Sequence, residues 1–227
     1  MPGPVVRALV FDFDGLIVDT ETPVFAAWSA VFRDHGEELS QELWQGVIGH
    51  GSGYWDPVAE LEARLGRSLD RDAVQAGRRR REMGIAFDQP ALPGVREWVR
   101  SAVDLGLGLG VASSSGREWV AGHLQRLGLD EFACVRCRED VRNTKPAPDV
   151  YRAAVECLEV APTEAVAIED SQPGTESARA AGLLCIAVPG PLTFAHHDFS
   201  AANLVLPSLA ARSLVDALAD LGRTPAG

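Results

Sequence analysis

No stretch of these 227 residues approaches the roughly 18 consecutive apolar residues that a bilayer-spanning helix needs. The first apolar stretch carries Arg7 and runs into Asp12 and Asp14, so it lacks the core and cleavage site of a secretion signal. Net positive charge is missing too: 21 Lys and Arg face 32 Asp and Glu, a formal charge of −11. That balance argues against non-specific binding to nucleic acid or to an anionic membrane. A small anionic substrate stays compatible, because a metal ion and a few cations reverse the field inside one cleft. Cysteine is scarce at four residues, too few for a disulfide framework in a chain this long, and the reading is a reducing cytoplasm. Cys134 and Cys137 have the spacing of a metal or redox pair, but no second such pair accompanies them. There are no internal repeats, Arg78–Arg81 is the one block of charge, and nothing demands an oligomer, so a monomer is the default.

What is present is an alternation of short apolar segments and helical stretches. Val5–Phe11, Leu107–Ala112, Phe132–Val135, Ala165–Ile168 and Leu184–Val188 read as strands buried on both faces, with Leu204–Leu206 as an added edge. Helix signals lie between them: Ser115-Gly-Arg-Glu118 has the form of a capping box, Gly128 and Gly182 suit helix ends, and Pro148 and Pro173 suit first turns. The alternation predicts an α/β fold, a Rossmann-like doubly wound parallel sheet. One interval breaks the rhythm. Residues 20–89 separate the first two strands by roughly 70 residues, far more than a crossover helix requires. The spacing predicts helices over Pro23–His35, Gln41–Ile48, Trp55–Leu65 and Asp70–Ala86 there. The expectation is a core of 1–19 and 90–227 with an inserted α-helical cap at 20–89, returning through Gln89-Pro90 to Pro93-Gly94.

Polar residues gather just beyond the strand ends. Asp12 and Asp14 follow the first strand, Ser113-Ser114-Ser115 the second, and Glu169-Asp170 the fourth. Lys145, in Asn143-Thr-Lys-Pro-Ala-Pro148, lies in the loop before the helix leading to that fourth strand. Ligands of open α/β sheets bind outside the carboxyl ends of the strands, so these groups are expected to meet. Asp12 and Asp14, two apart on extended chain, face one side. Two carboxylates so close need a cation or a shared proton, and hard oxygen ligands beside a phosphate suit Mg²⁺. The Ser113 hydroxyl, the amides opening the next helix and the Lys145 ammonium suit phosphate oxygens. Singly, each feature has an ordinary structural reading as a turn, a helix cap or a solvated loop residue. Together they point to phosphoryl transfer.

The chain resembles the haloacid dehalogenase superfamily, in the branch with a helical cap after the first strand. Asp12-Phe-Asp14-Gly-Leu-Ile-Val-Asp19-Thr20, Val111-Ala-Ser113-Ser-Ser115, Lys145-Pro146 and Ile168-Glu-Asp170-Ser match its four motifs in order. Within it, the chain is similar to the phosphatases related to β-phosphoglucomutase. The resemblance implies that Asp12 is the nucleophile and Asp14 the general acid and base. Mg²⁺ would be held by Asp12, Asp170 and the Asp14 carbonyl, with Glu169 completing or orienting the shell. Ser113 and Lys145 would neutralise the transferring group, Ser114 would add an amide, and Gly15 would begin the turn toward the cap.

Within that family Asp14 argues against dehalogenation, which attacks carbon and needs no acid at this place. A phosphonate hydrolase would need a cap lysine, and residues 20–89 contain none. A sugar-phosphate mutase would carry a His where this chain has Val24, and an Arg in the cap where it reads Gly49-His-Gly-Ser52-Gly53. A non-enzymatic phospho-acceptor would place its Asp on a later strand and lack the insertion. The expectation is a Mg²⁺-dependent phosphatase of a small phosphorylated metabolite, acting through an aspartyl-phosphate. His50, Trp55 and the Arg78–Arg81 block are the cap candidates for substrate contact, although a solvated face suits the block better. Trp28 and Trp44 read as core, and His196-His197 lacks the further ligands a metal site needs.

Overall fold

The computed structural model describes residues 5–45, 55–190 and 197–225. The chain begins with β1 (Val5–Val6), β2 (Ala8–Phe11), α1 (Glu21–Asp34), α2 (Gln41–Gln45), α3 (Pro57–Leu65), α4 (Arg71–Phe87) and α5 (Val95–Asp104). Next come β3 (Gly108–Ala112), α6 (Arg117–Leu127), β4 (Cys134–Arg136), α7 (Asp149–Cys157), β5 (Ala165–Glu169) and α8 (Gln172–Ala181). The chain continues with β6 (Leu184–Ala187), β7 (Leu204–Val205), α9 (Leu214–Asp220) and β8 (Thr224–Pro225). It divides into two compact units: Met1–Val18 with Pro90–Gly227, and Asp19–Gln89.

In the first unit six parallel strands lie in the order β4-β3-β2-β5-β6-β7. This is the doubly wound α/β sheet. Alternate residues of each strand feed opposite faces. Leu9, Phe11, Leu109, Val111, Val166 and Ile168 join one apolar layer with Trp98, Leu124 and Leu218. Ala8, Val10, Ala165 and Ala167 join the other, with Tyr151, Ala154 and Ala178. Small residues on that face let the helices approach closely. The first apolar run is not one strand, however. At exposed Arg7 it changes sheet: Val5–Val6 pairs in parallel with Thr224–Pro225, and only Ala8–Phe11 enters the main sheet.

The cysteine expectation needs correcting. A disulfide joins Cys134 on β4 to Cys157 at the end of α7, while Cys137 and Cys185 are free and buried. The partners are 23 apart in sequence and meet because α7 folds back along the strand that precedes it. Cys137 therefore forms no pair with Cys134.

Backbone closeness is sharpest at Gly94, where φ is +91° and an added Cβ would lie 2.2 Å from the Ala210 nitrogen. Both the left-handed conformation and the neighbouring backbone oppose a side chain. Gly94→Ala is expected to cost about 2–5 kcal/mol of stability. A urea midpoint equal to the parent's would contradict this packing.

In the second unit α1 packs on α4. Arg78 pairs with Glu82 and lies over the Trp28 ring, Arg81 pairs with Asp34, and Arg79 and Arg80 are exposed. Arg79 and Arg80 thus form a solvated face, while Arg78 is largely covered and paired. Trp44 is buried against Phe25 and Trp55, with ring centroids 5.8 and 6.0 Å away. His50, Gly49–Gly53 and the end of the expected helix Gln41–Ile48 lie outside the described residues. No helix among the described residues is long and apolar enough to cross a membrane.

Candidate active site

Register brings the strand ends together. Phe11 on β2 is level with Val111 on β3 and Ile168 on β5. The chain then continues into Asp12, into Ala112 and Ser113, and into Glu169 and Asp170. Asp12, Ser113, Glu169 and Asp170 are all buried. Lys145 reaches the same place from its loop. Its ammonium donates to Asp12 Oδ1 and, at 2.6 Å, to Glu169 Oε1, and its side chain is 7% exposed. It is the chain's one lysine among 21 basic Lys and Arg residues. A compact ammonium, rather than a guanidinium fork, fits between two close carboxylates.

The charges explain one another. Burial pushes the Asp12 carboxyl up to about 8; Lys145 opposes that shift, and Glu169 and Asp14 add to it. Burial works against the Lys145 charge, yet Asp12 and Glu169 more than offset it and hold the ammonium above its usual range. Glu169 also accepts from Tyr151 Oη at 2.7 Å through Oε1, and from the Asp170 amide and Ser171 Oγ at 3.2 Å through Oε2. The Tyr151 hydroxyl is itself held well above its ordinary value, first by burial and then by Glu169.

Asp12, Glu169 and Asp170 each offer one carboxylate oxygen, all within 4.8 Å of one another. Three buried carboxylates against one ammonium are a donor set suited to a hard divalent cation. Two glycines make room for the carboxylates. A Cβ on Gly15, whose φ is +83°, would lie 2.1 Å from Asp170 Oδ2, and one on Gly174 would lie 2.0 Å from the Glu169 carboxyl.

Asp14 faces another neighbour. Its Oδ2 accepts from Ser115 Oγ at 2.6 Å and from Ser113 Oγ at 3.3 Å, and its Oδ1 accepts from the Trp119 indole at 3.0 Å. The expected capping box at Ser115 does not form. The N-cap of α6 is Gly116, without a side-chain cap bond, because the Ser115 hydroxyl turns to Asp14 instead. Ser113 Oγ also accepts the Ser115 amide at 2.9 Å, which folds the serine turn back on itself. Among the described residues the Ser114 hydroxyl has no hydrogen-bond partner. His197 Nδ1 accepts the Gln172 amide at 3.2 Å, and His196 lies outside the described residues.

Comparison with known proteins fits this arrangement. Residues 9–188 match the family model for haloacid dehalogenase-like hydrolases. The chain belongs to that family. It is 40% identical over 190 residues to YhcW of Bacillus subtilis, covering 83% of this chain and 86% of that one. It is 29% identical to a phosphorylated carbohydrates phosphatase of Thermotoga maritima, over 78% of this chain and 82% of the relative. Among solved structures, a family hydrolase from Deinococcus radiodurans with bound phosphate and sodium is 26% identical. It superposes with a TM-score of 0.78 over 98% of this chain and 100% of its own.

Three residues of this family member's site escaped the sequence reading in their present roles. Ser115 was visible as a helix cap and as the end of the serine motif, not as a partner of Asp14. Trp119 stands four residues further on, one helical turn, which is the spacing that could have linked the two. Tyr151 is an apolar-face residue of α7 whose hydroxyl happens to reach Glu169.

Proposed function

We propose that this hydrolase is a Mg²⁺-dependent phosphatase of a small phosphomonoester, a phosphorylated sugar or similar metabolite, acting through an aspartyl-phosphate on Asp12. The observation that carries the reading is the Lys145 ammonium held between Asp12 and Glu169 at the ends of β2 and β5. That arrangement opposes the burial that lifts the Asp12 carboxyl and aligns the nucleophile beside a cation that can receive phosphate oxygens. The Asp12 carboxylate attacks phosphorus, the ester P–O bond breaks, and Asp14 protonates the departing alkoxide. Asp14 then takes a proton from water, which attacks the same phosphorus. The Asp12–phosphorus linkage breaks and inorganic phosphate leaves. Ser113 and the Ser114 amide hold the equatorial oxygens, the Ser113 and Ser115 amides being engaged by the Arg136 carbonyl and Ser113 Oγ. Asp12, Asp170 and the Asp14 carbonyl would hold the metal, with Glu169 orienting Lys145 beside them. The metal would supply charge neutralisation for the transferring group. The helical segment 20–89 is proposed as the cap that selects the substrate, and the Thermotoga relative's name motivates the sugar-phosphate class.

A panel of phosphomonoesters assayed with Mg²⁺ tests this. Repeated release of inorganic phosphate is expected from at least one sugar phosphate. Isomerisation of glucose 1-phosphate without phosphate release would instead reveal a mutase. A single retained equivalent on the protein would reveal a phospho-acceptor.

Metal dependence has its own signature. EDTA is expected to abolish turnover, with Mg²⁺ restoring it and Ca²⁺ restoring little, since its looser coordination suits in-line transfer badly. Mg²⁺ should also raise the melting temperature by binding the folded state alone, and Asp170→Asn should remove most of that rise. Full turnover after exhaustive chelation, or a rise unchanged in Asp170→Asn, would contradict the assignment.

A further inference from the structure

Asp14 is held by donors of two kinds. Ser115 and Ser113 offer hydroxyls to Oδ2, and a hydroxyl can rotate to donate or accept. Trp119 offers an indole N–H to Oδ1, and an indole only donates. The indole is itself braced. Its ring leans on the His123 ring, with centroids 4.2 Å and planes 57° apart, and His123 Nδ1 lies 2.9 Å from the Trp119 carbonyl oxygen. The buried His123 in turn meets Phe13 edge-on at 5.6 Å, and Phe13 stands between Asp12 and Asp14 in the chain. The strand end, the imidazole and the indole thus form one packed cluster that aims the N–H at the carboxylate.

From this packing we infer that Trp119 is a positioning residue for Asp14. Its N–H pins Oδ1, so Oδ2 is the oxygen that gives and takes the proton, while Ser115 switches between donating and accepting. The inference rests on Asp14 serving as the acid for the departing alcohol, and it adds which oxygen works and what holds it. With the N–H removed, the carboxylate rotates more freely and the proton is misdirected.

Proton delivery matters in proportion to how poor the leaving group is. The measurement is kcat/KM, which reports steps through departure of the alcohol, for an alkyl phosphomonoester and for 4-nitrophenyl phosphate, whose leaving group departs without a proton. Trp119→Phe keeps an aromatic ring against His123 and deletes the donor. The ratio of the alkyl to the aryl value is expected to fall about tenfold in Trp119→Phe, and further in Asp14→Asn. A merely structural role would lower both values together and leave the ratio alone. A ratio that falls in Asp14→Asn but not in Trp119→Phe overturns the inference by itself. An unchanged ratio in both overturns the acid role of Asp14 and the inference with it. Should the Phe variant melt early, the benzothienyl analogue of tryptophan, with sulfur in place of N–H, is installed at 119 and the same ratio decides.

Discussion

Asp12→Asn is expected to lower phosphate release by at least about 10,000-fold while leaving the fold intact. The amide has nearly the shape of the carboxylate but no nucleophilic oxygen, so the bond to phosphorus cannot form. The backbone at this position is held independently of the side chain: the residue 12 amide donates to the Ile168 carbonyl at 2.9 Å. Lys145 keeps Glu169 as a partner, so the variant strands no buried ammonium. Phosphate release, far-ultraviolet circular dichroism and the melting curve together give the result. Rapid quenching of the parent enzyme with substrate should trap phosphate on Asp12, and the variant should trap none. Retained turnover in a folded Asp12→Asn enzyme would remove Asp12 from the reaction and move the chemistry elsewhere in the cleft.

How much of this was readable in advance follows from the range of the forces involved. The strands β2, β3, β5 and β6 announce themselves because both faces are buried and no polar residue interrupts them. Their order and register then carry Asp12, Ser113, Glu169 and Asp170 to one edge, so the acidic and serine groups were legible as a set. Val5–Val6 looked continuous with β2 because its partner, Thr224–Pro225, is two residues long, contains a proline, and sits at the far end of the chain. The disulfide was hidden because two of four cysteines, 23 residues apart, meet only through tertiary packing. The bonds from Trp119 and Ser115 to Asp14 were hidden for a different reason. Their importance lies in where one hydroxyl and one N–H point, which depends on side-chain rotamers within an ordinary helix start. The single lysine, by contrast, was a compositional signal. In a chain whose other 20 basic Lys and Arg residues are all arginine, the one lysine stands where a compact, buried cation fits between two carboxylates.

That preference gives the second large effect. Lys145→Met is expected to cut phosphate release by about 1,000-fold, because it deletes the cation beside the nucleophile and beside the oxygens that gain charge in the transition state. Stability should fall too. The ammonium pairs two buried carboxylates, and removing one partner of such a group typically costs about 3–5 kcal/mol. Without it, burial and the charge of Glu169 drive Asp12 toward its protonated, non-nucleophilic form, in the direction that already lifts its pKa to about 8. Lys145→Arg separates charge from shape: the positive charge stays, but a planar fork is too wide for the space between Asp12 Oδ1 and Glu169 Oε1. It should therefore recover little of the lost activity. Adding Glu169→Gln to Lys145→Met removes one of the two stranded charges, so the double variant should melt higher than Lys145→Met alone while remaining equally inactive. Melting curves and phosphate release on the three variants make the comparison. An arginine variant with near-parent activity, or a double variant that regains turnover, would reduce Lys145 to a charge-balancing residue of the fold and separate it from the chemistry.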